Sequence, residues 1–417
     1  MYVSYIPEFG EAFNQQTFRP IHGNTTPHGS SNTRMKPQVH LTAVVAAFAC
    51  FFTEAAAAPR AAKADFSKWM ASSIISRRQG IMTGQGGVSE LLQAGFTQKA
   101  FLALVKQYPN TTADIQAYIE ESAASVVPYV LNASHIAMTY PLDRLSNGMA
   151  LLELSSSSGN HSFGAAADSL RKSIDLNRRN PIGGLWYFTY PEWSYLDGMY
   201  SLAPFYTLYT STKTAPVDSA AAAEALQDMY YQVDLLWNRT HVAETGLLAH
   251  GYDASGTAVW ANAVTGASPH VWDRALGWYL MALVDTVELL SSDAATGAVY
   301  LDLLRKKYQS LAAAVVSAAD PNTGAWWQIM DLPGKEGNYI ESSGSAMFTY
   351  ALLKGARLGY IDCEFKDAAV KIATRAYDYL TSTFVVYEPD SILGYNGTVS
   401  VCSLNSTASY EVSNIDP

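Results

Sequence analysis

The feature that most constrains this 417-residue chain is a recurring helical periodicity. From about Asp65 onward, apolar residues return at helical spacing over Ala113–Val127, Ser146–Ser155, Phe163–Leu176, Gly198–Tyr209, Pro216–Trp237, Arg274–Leu290, Ala298–Ala318, Ser343–Leu358 and Cys363–Thr383. The segments pair off at similar lengths, one pair roughly every 50 residues, across Gly-, Pro- and Asn-rich connections. Strand-like alternation is rare, and Phe384–Tyr387 is its best instance. No linker divides residues 60–417, so one domain of stacked helical hairpins is expected. Some six pairs suffice to close an α/α toroid whose loops ring a central cleft. An open α-solenoid has the same periodicity but does not need loops so rich in Trp, Tyr and Asp.

Composition narrows the function. Charged residues are only 15% and hydrophobic residues 49%, which excludes a disordered chain or a coiled coil. A net charge of −10 argues against a nucleic-acid partner. A small acidic ligand held in a local basic pocket remains compatible with it. Residues 1–34 are polar and aperiodic and read as disordered, with Met35 as the natural start and the stretch before it an extension of the gene model. Lys36, the apolar run Leu41–Phe52 and small residues up to Pro59 make residues 35–59 a secretory signal peptide, too short for a membrane span. Asn110, Asn132, Asn160, Asn238, Asn396 and Asn405 head glycosylation sequons, consistent with secretion. The expected product is a secreted monomer with no membrane partner after signal cleavage. Cys50 leaves with the signal; Cys363 and Cys402 either pair or remain as two thiols.

The chain has no HExxH, GxSxG, P-loop or GxGxxG motif, so neither a metal nor a nucleotide cofactor is expected. Chemistry is concentrated in five aromatic loops. Tyr140–Gly148 carries Asp143, which the bland reading makes a helix-terminal charge. Gly183–Tyr200 holds Glu192 and Asp197 among seven aromatic rings, including Tyr190 and Tyr195. Such surroundings raise a carboxyl pKa and suit a general acid, and composition does not choose between the two carboxylates. Gly246–Asp253 carries His250, with Gly251 and Asp253 expected to form a tight turn that aims it. Ser268–Tyr279 places Trp272 and Trp278 on either side of Arg274, whose fork suits a carboxylate; the alternative is an Asp273–Arg274 surface pair. Gly324–Ser345 contains Glu341, read as a cap for the helix after it.

These strings, in this order, resemble the unsaturated rhamnogalacturonyl hydrolases of glycoside hydrolase family 105. The resemblance rests on Leu142–Gly148, Tyr190-Pro191, Leu196–Gly198, His250–Asp253, Trp260–Asn262, Ser268–Arg274 with Gly277-Trp278, and Gly337–Ala346. It implies an all-α (α/α)6 barrel. It also implies hydrolysis of a 4,5-unsaturated uronic acid at the non-reducing end of a lyase-generated pectin oligosaccharide, a small acidic substrate. By the same likeness, Asp197 is the general acid/base and Asp143 the second carboxylate. His250, Trp272, Arg274 and Trp278 are substrate-binding positions, with Tyr190 and Tyr195 beside them. Ser89–Gly95 lacks the aromatic cluster of many relatives, so no site residue is assigned there. Tyr195 stands where many relatives have Trp.

Two other readings compete. An unsaturated glucuronyl hydrolase shares the barrel, but sulfated fragments favour a basic cluster that the sequence lacks. A non-catalytic carbohydrate-binding protein would keep the aromatic loops without requiring Asp197. An endo-mannanase-like barrel built on adjacent aspartates is disfavoured, because there is no Asp-Asp dipeptide.

Overall fold

Helix burial separates an inner ring from an outer one. Helix α9 (Asp273–Ser292) is buried on every side between Ala275 and Val287, whereas α10 (Ala298–Ser317) buries one stripe, Leu304, Tyr308, Leu311, Ala312 and Val315. A helix apolar all round belongs inside a core, and one with a single stripe lies on its surface. The same contrast separates α7 (Asp197–Tyr209) from α8 (Ser219–Thr240), and α11 (Ser342–Leu358) from α12 (Cys363–Thr383). The computed structural model describes residues 63–292, 297–399 and 404. Residues 35–59, expected to be a signal peptide, the stretch before them, Cys402 and Asn405 lie outside the described residues.

Twelve α-helices among the described residues build the (α/α)6 barrel. Besides those named, α1 (Lys63–Ser76), α2 (Glu90–Gln107), α3 (Ala113–Val130), α4 (Ala133–Thr139), α5 (Gly148–Ser157) and α6 (His161–Asp175) complete the set. Inner α7 packs on α9, and α9 on α11, while α5 and the 3-10 turn Leu142–Asn147 lie between α2 and α7. One main cluster of buried side chains extends from Met70 to Val399.

The periodicity places nine helices close to their observed bounds, and local chemistry explains the offsets. Asp218 caps α8 by accepting from Ala220 N and Ala221 N at 3.0 Å, so this helix starts at Ser219 rather than Pro216. Gly359, at φ 73°, ends α11 in the left-handed region. Ser89–Gly95, where no site residue is assigned, forms the N-cap and opening turns of α2. One expectation needs correction: Gly251–Asp253 is not a turn but strand β2, antiparallel to β1 (Trp193–Tyr195). The strand expected at Phe384–Tyr387 is β3 (Val385–Glu388), paired with β4 (Ile392–Tyr395).

Candidate active site

The loops that precede α5, α7, α9 and α11 carry the ionisable groups and rings singled out in the sequence. The first loop is fixed by a residue the sequence did not single out. Arg144 is fully buried and donates to Ser173 Oγ, Tyr140 O, Pro141 O, Ser173 O and Asn177 Oδ1 at 3.0–3.1 Å. Those five bonds use the whole guanidinium and pin the 3-10 turn that presents Asp143. Burial pushes Arg144 down to about 9.

Asp143 caps nothing in this turn. Its Oδ2 accepts a 2.7 Å hydrogen bond from Tyr187 Oη. Burial pushes its carboxyl up to about 7; the Tyr187 bond opposes that and the negative charge of Asp197 adds to it. The aromatic loops therefore do raise carboxyls, Asp143 in the first and Asp273 in the fourth. Tyr187, also missed from sequence, is held well up by burial and by the charges of both aspartates. It was one ring among seven in its loop, and only the fold distinguishes it.

Asp197 opens α7 without capping it. Its Oδ2 lies 3.2 Å from His250 Nε2. The β1–β2 ladder sets this approach, with Tyr195 opposite Gly251 and Leu196 N donating to His250 O at 3.0 Å. Gly251 is required there because a Cβ would stand 2.5 Å from Ser194 O. Glu192, the carboxylate that composition left equal to Asp197, sits at φ 65° in the turn before β1.

A wall of rings joins these groups. Tyr187 stacks on Tyr195 at 4.8 Å, Tyr195 meets His250 at 4.8 Å, and His250 meets Trp272 at 4.9 Å. Tyr190 and Trp193 continue the wall toward Trp260, at 5.3 and 5.0 Å. The indole N–H groups of Trp260 and Trp272 are buried without a protein acceptor among the described residues. Arg274 Cζ lies 5.0 Å from the Trp272 ring centroid. Trp278 packs against Tyr200 at 4.5 Å and Phe96 at 5.4 Å, in a cluster between α2, α7 and α9. Asp273–Arg274 is not a surface pair, for Asp273 is fully buried.

A helical-hairpin barrel presenting two coupled carboxyls under an aromatic wall defines a glycoside hydrolase of the α/α-barrel class. The family model for Glycosyl Hydrolase Family 88 matches residues 86–416, and the chain belongs to that family. It is similar to a family 105 glycoside hydrolase of C. acetobutylicum ATCC 824, with 29% identity, a TM-score of 0.71 and coverage of 84% of this chain and 93% of that one. The unsaturated glucuronyl hydrolase of Bacillus sp. GL1 shares the fold at 12% identity, with a TM-score of 0.56 and coverage of 80% and 88%. Protein Atu3128 of Agrobacterium fabrum is 40% identical over 159 residues, 38% of this chain and 66% of that protein. The chain thus spans just under two thirds of that curated relative.

Proposed function

We propose that the protein removes the 4,5-unsaturated uronic acid from the non-reducing end of lyase-generated oligosaccharides by hydrating its vinyl ether. The observation that carries this reading is the carboxyl pair: Asp143, held by Tyr187 Oη at 2.7 Å, feels the charge of Asp197, and Asp197 Oδ2 lies 3.2 Å from His250 Nε2. Vinyl ether hydration needs a proton donor and a negative group facing the cation it creates, the second role open to Asp143 above about pH 7. Asp197 protonates C4, and positive charge spreads over C5 and the ring oxygen. Asp143 faces that charge, oriented by Tyr187. Water adds at C5 and returns its proton to Asp197. The C5 hemiketal opens to a ketone, and C1 then releases the aglycone as an alcohol, with one water consumed. His250 orients Asp197, and Arg274 supplies the positive charge for the substrate carboxylate. Trp272 and Tyr195 give ring faces to the uronate, and Tyr190 extends that surface. Trp278 supports the site from the adjoining cluster. Inter-carboxylate distance rules for ordinary glycosidases do not apply to this chemistry.

Family membership supports this class of substrate, as does the activity named for the Bacillus sp. GL1 protein of like fold. Rhamnogalacturonan fragments are the proposed source. Tyr190, Trp193 and Trp260 offer an apolar surface suited to a deoxy-sugar aglycone, and the loops lack the basic cluster that sulfated fragments favour. The proposed setting is extracellular; Asn110, Asn132, Asn160, Asn238 and Asn396 are all exposed, as glycan attachment requires. The test follows ultraviolet absorbance of the conjugated uronate with unsaturated rhamnogalacturonan disaccharide. Loss of the band with wild type, but not with Asp197→Asn, is the expected result. A stable band with both proteins, on rhamnogalacturonan and glucuronyl substrates alike, would overturn the reading and leave carbohydrate binding.

A further inference from the structure

Two carboxyls, Asp273 and Glu341, sit beside Arg274, and both are fully buried. Glu341 has the surroundings of a carboxylate. Its Oε1 accepts from Arg274 Nη2 at 3.2 Å, Ser343 Oγ at 2.8 Å and Val399 N at 3.1 Å, and its Oε2 from Gly344 N at 2.7 Å. Asp273 is different. Its Oδ1 accepts from Arg274 N at 2.7 Å, but no donor reaches its buried Oδ2 among the described residues. Gly344 lets the two groups meet: a Cβ there would stand 2.2 Å from Asp273 Oδ2, while its N–H points at Glu341 Oε2. One backbone position thus lies against both buried carboxyls. A buried carboxylate oxygen that no donor reaches is costly, and a proton on it, shared with an acidic neighbour, removes that cost. Arg274 alone faces the pair among described cations, and two buried anions against one cation would leave an uncompensated charge.

We propose that Asp273 stands as a neutral carboxylic acid that donates its proton to Glu341, and that it is thereby a positioning residue for Arg274. Burial and the Glu341 charge both push the Asp273 carboxyl well up, in agreement. The result is one acid, one carboxylate and one guanidinium, neutral as a group. Glu341 then holds Arg274 Nη2 together with the Val399 carbonyl, while Ser343 Oγ accepts from Nε at 2.7 Å. One edge of the guanidinium is thus fixed before any substrate arrives. The chain Asp273–Glu341–Arg274 reaches into the site through a residue that never touches the sugar. The functional consequence rests on the reading that Arg274 meets the substrate carboxylate.

The test joins infrared spectroscopy to kinetics. At about pH 9 Asp143, at about 7, is ionised. Wild type should still show the carbonyl stretch of a protonated carboxyl there, and Asp273→Asn should lack it. Asp273→Asn keeps a donor of the same shape, so its KM for the unsaturated disaccharide should stay within about threefold of wild type. Asp273→Leu removes the donor and should raise KM about tenfold or more with a smaller change in kcat, the size expected for one buried charge-assisted hydrogen bond. Glu341→Gln should raise KM likewise, because it removes the anion that holds Arg274. No band in wild type, or a KM for Asp273→Asn as high as for Asp273→Leu, would overturn the proposal. If Asp273→Leu does not fold, the band and the Asp273→Asn kinetics still decide. A wild type that shows the band but consumes no unsaturated uronide retains the proton assignment and sinks the substrate reading instead.

Discussion

His250 Nε2 and Asp197 Oδ2 lie 3.2 Å apart although 53 positions separate them in the chain (250 − 197). The contact exists because β1 and β2 pair, placing Tyr195 opposite Gly251, so that the residues flanking those two converge. A three-residue ladder therefore assembles the candidate acid and its neighbour on an otherwise helical scaffold.

Asp197→Asn should reduce turnover by about a hundredfold to ten-thousandfold, the usual span for losing a general acid. Substrate binding, read by calorimetry, should persist. Glu192→Gln should keep kcat within about threefold, although the two carboxylates share one aromatic loop. Equal losses from both substitutions would contradict the assignment.

Stability should depend on pH through Asp143. An unfolded carboxyl ionises near 4, and this one is held up to about 7 in the fold. Between those values the folded protein keeps a proton that the unfolded chain has lost. The contribution is therefore fully present below about pH 4 and is lost as pH rises through about 7, by at most on the order of 4 kcal/mol. Asp143→Asn removes this dependence, so its melting temperature should exceed that of wild type at pH 8 while its activity falls. Parallel melting curves for the two proteins across this range would count against it.

The Tyr187 hydroxyl opposes the upward shift of Asp143 by donating to its carboxylate form. Tyr187→Phe should therefore move the ionisation seen in the kcat/KM profile to higher pH, and should lower kcat by roughly tenfold. An unmoved profile would show that the bond does not set this ionisation.

Asp285 accepts from Lys354 at 2.6 Å and Tyr350 at 2.9 Å and also pairs with Lys99. The two lysines hold its carboxyl down at about 2, against burial. Asp285→Asn leaves both ammonium groups without their shared anion and should destabilise the protein by about 3–5 kcal/mol, read by denaturant unfolding. A loss below about 1 kcal/mol would show that solvent screens the pair.

Helical hairpins were legible because burial on one stripe or on all sides leaves its period in the sequence, as α10 and α9 illustrate. The aromatic loops were legible because they break that period with Gly, Pro and rings. Tyr187 was not, since seven rings in one loop look alike until Tyr195 and Asp143 are brought against it. Arg144 was not, because a buried guanidinium bonded to three backbone carbonyls leaves no pattern in sequence. Nor does the sequence state which inner helices Trp278 meets; its ring packs on Phe96 of α2 and Tyr200 of α7.

By itself, the sequence determined the helical class, the pairing of the helices, and the set of loops that hold ionisable groups among rings. Those properties depend on residues a few positions apart, whose spacing the chain states directly. Tertiary structure alone decided that Asp143 and Asp273 are raised, that His250 meets Asp197, and that Asp273 and Glu341 lie buried against Gly344. Proton affinity depends on desolvation and on charges a few ångströms away. Distances of that kind are set by strands and helices far apart in the chain, and come into being only when the barrel closes.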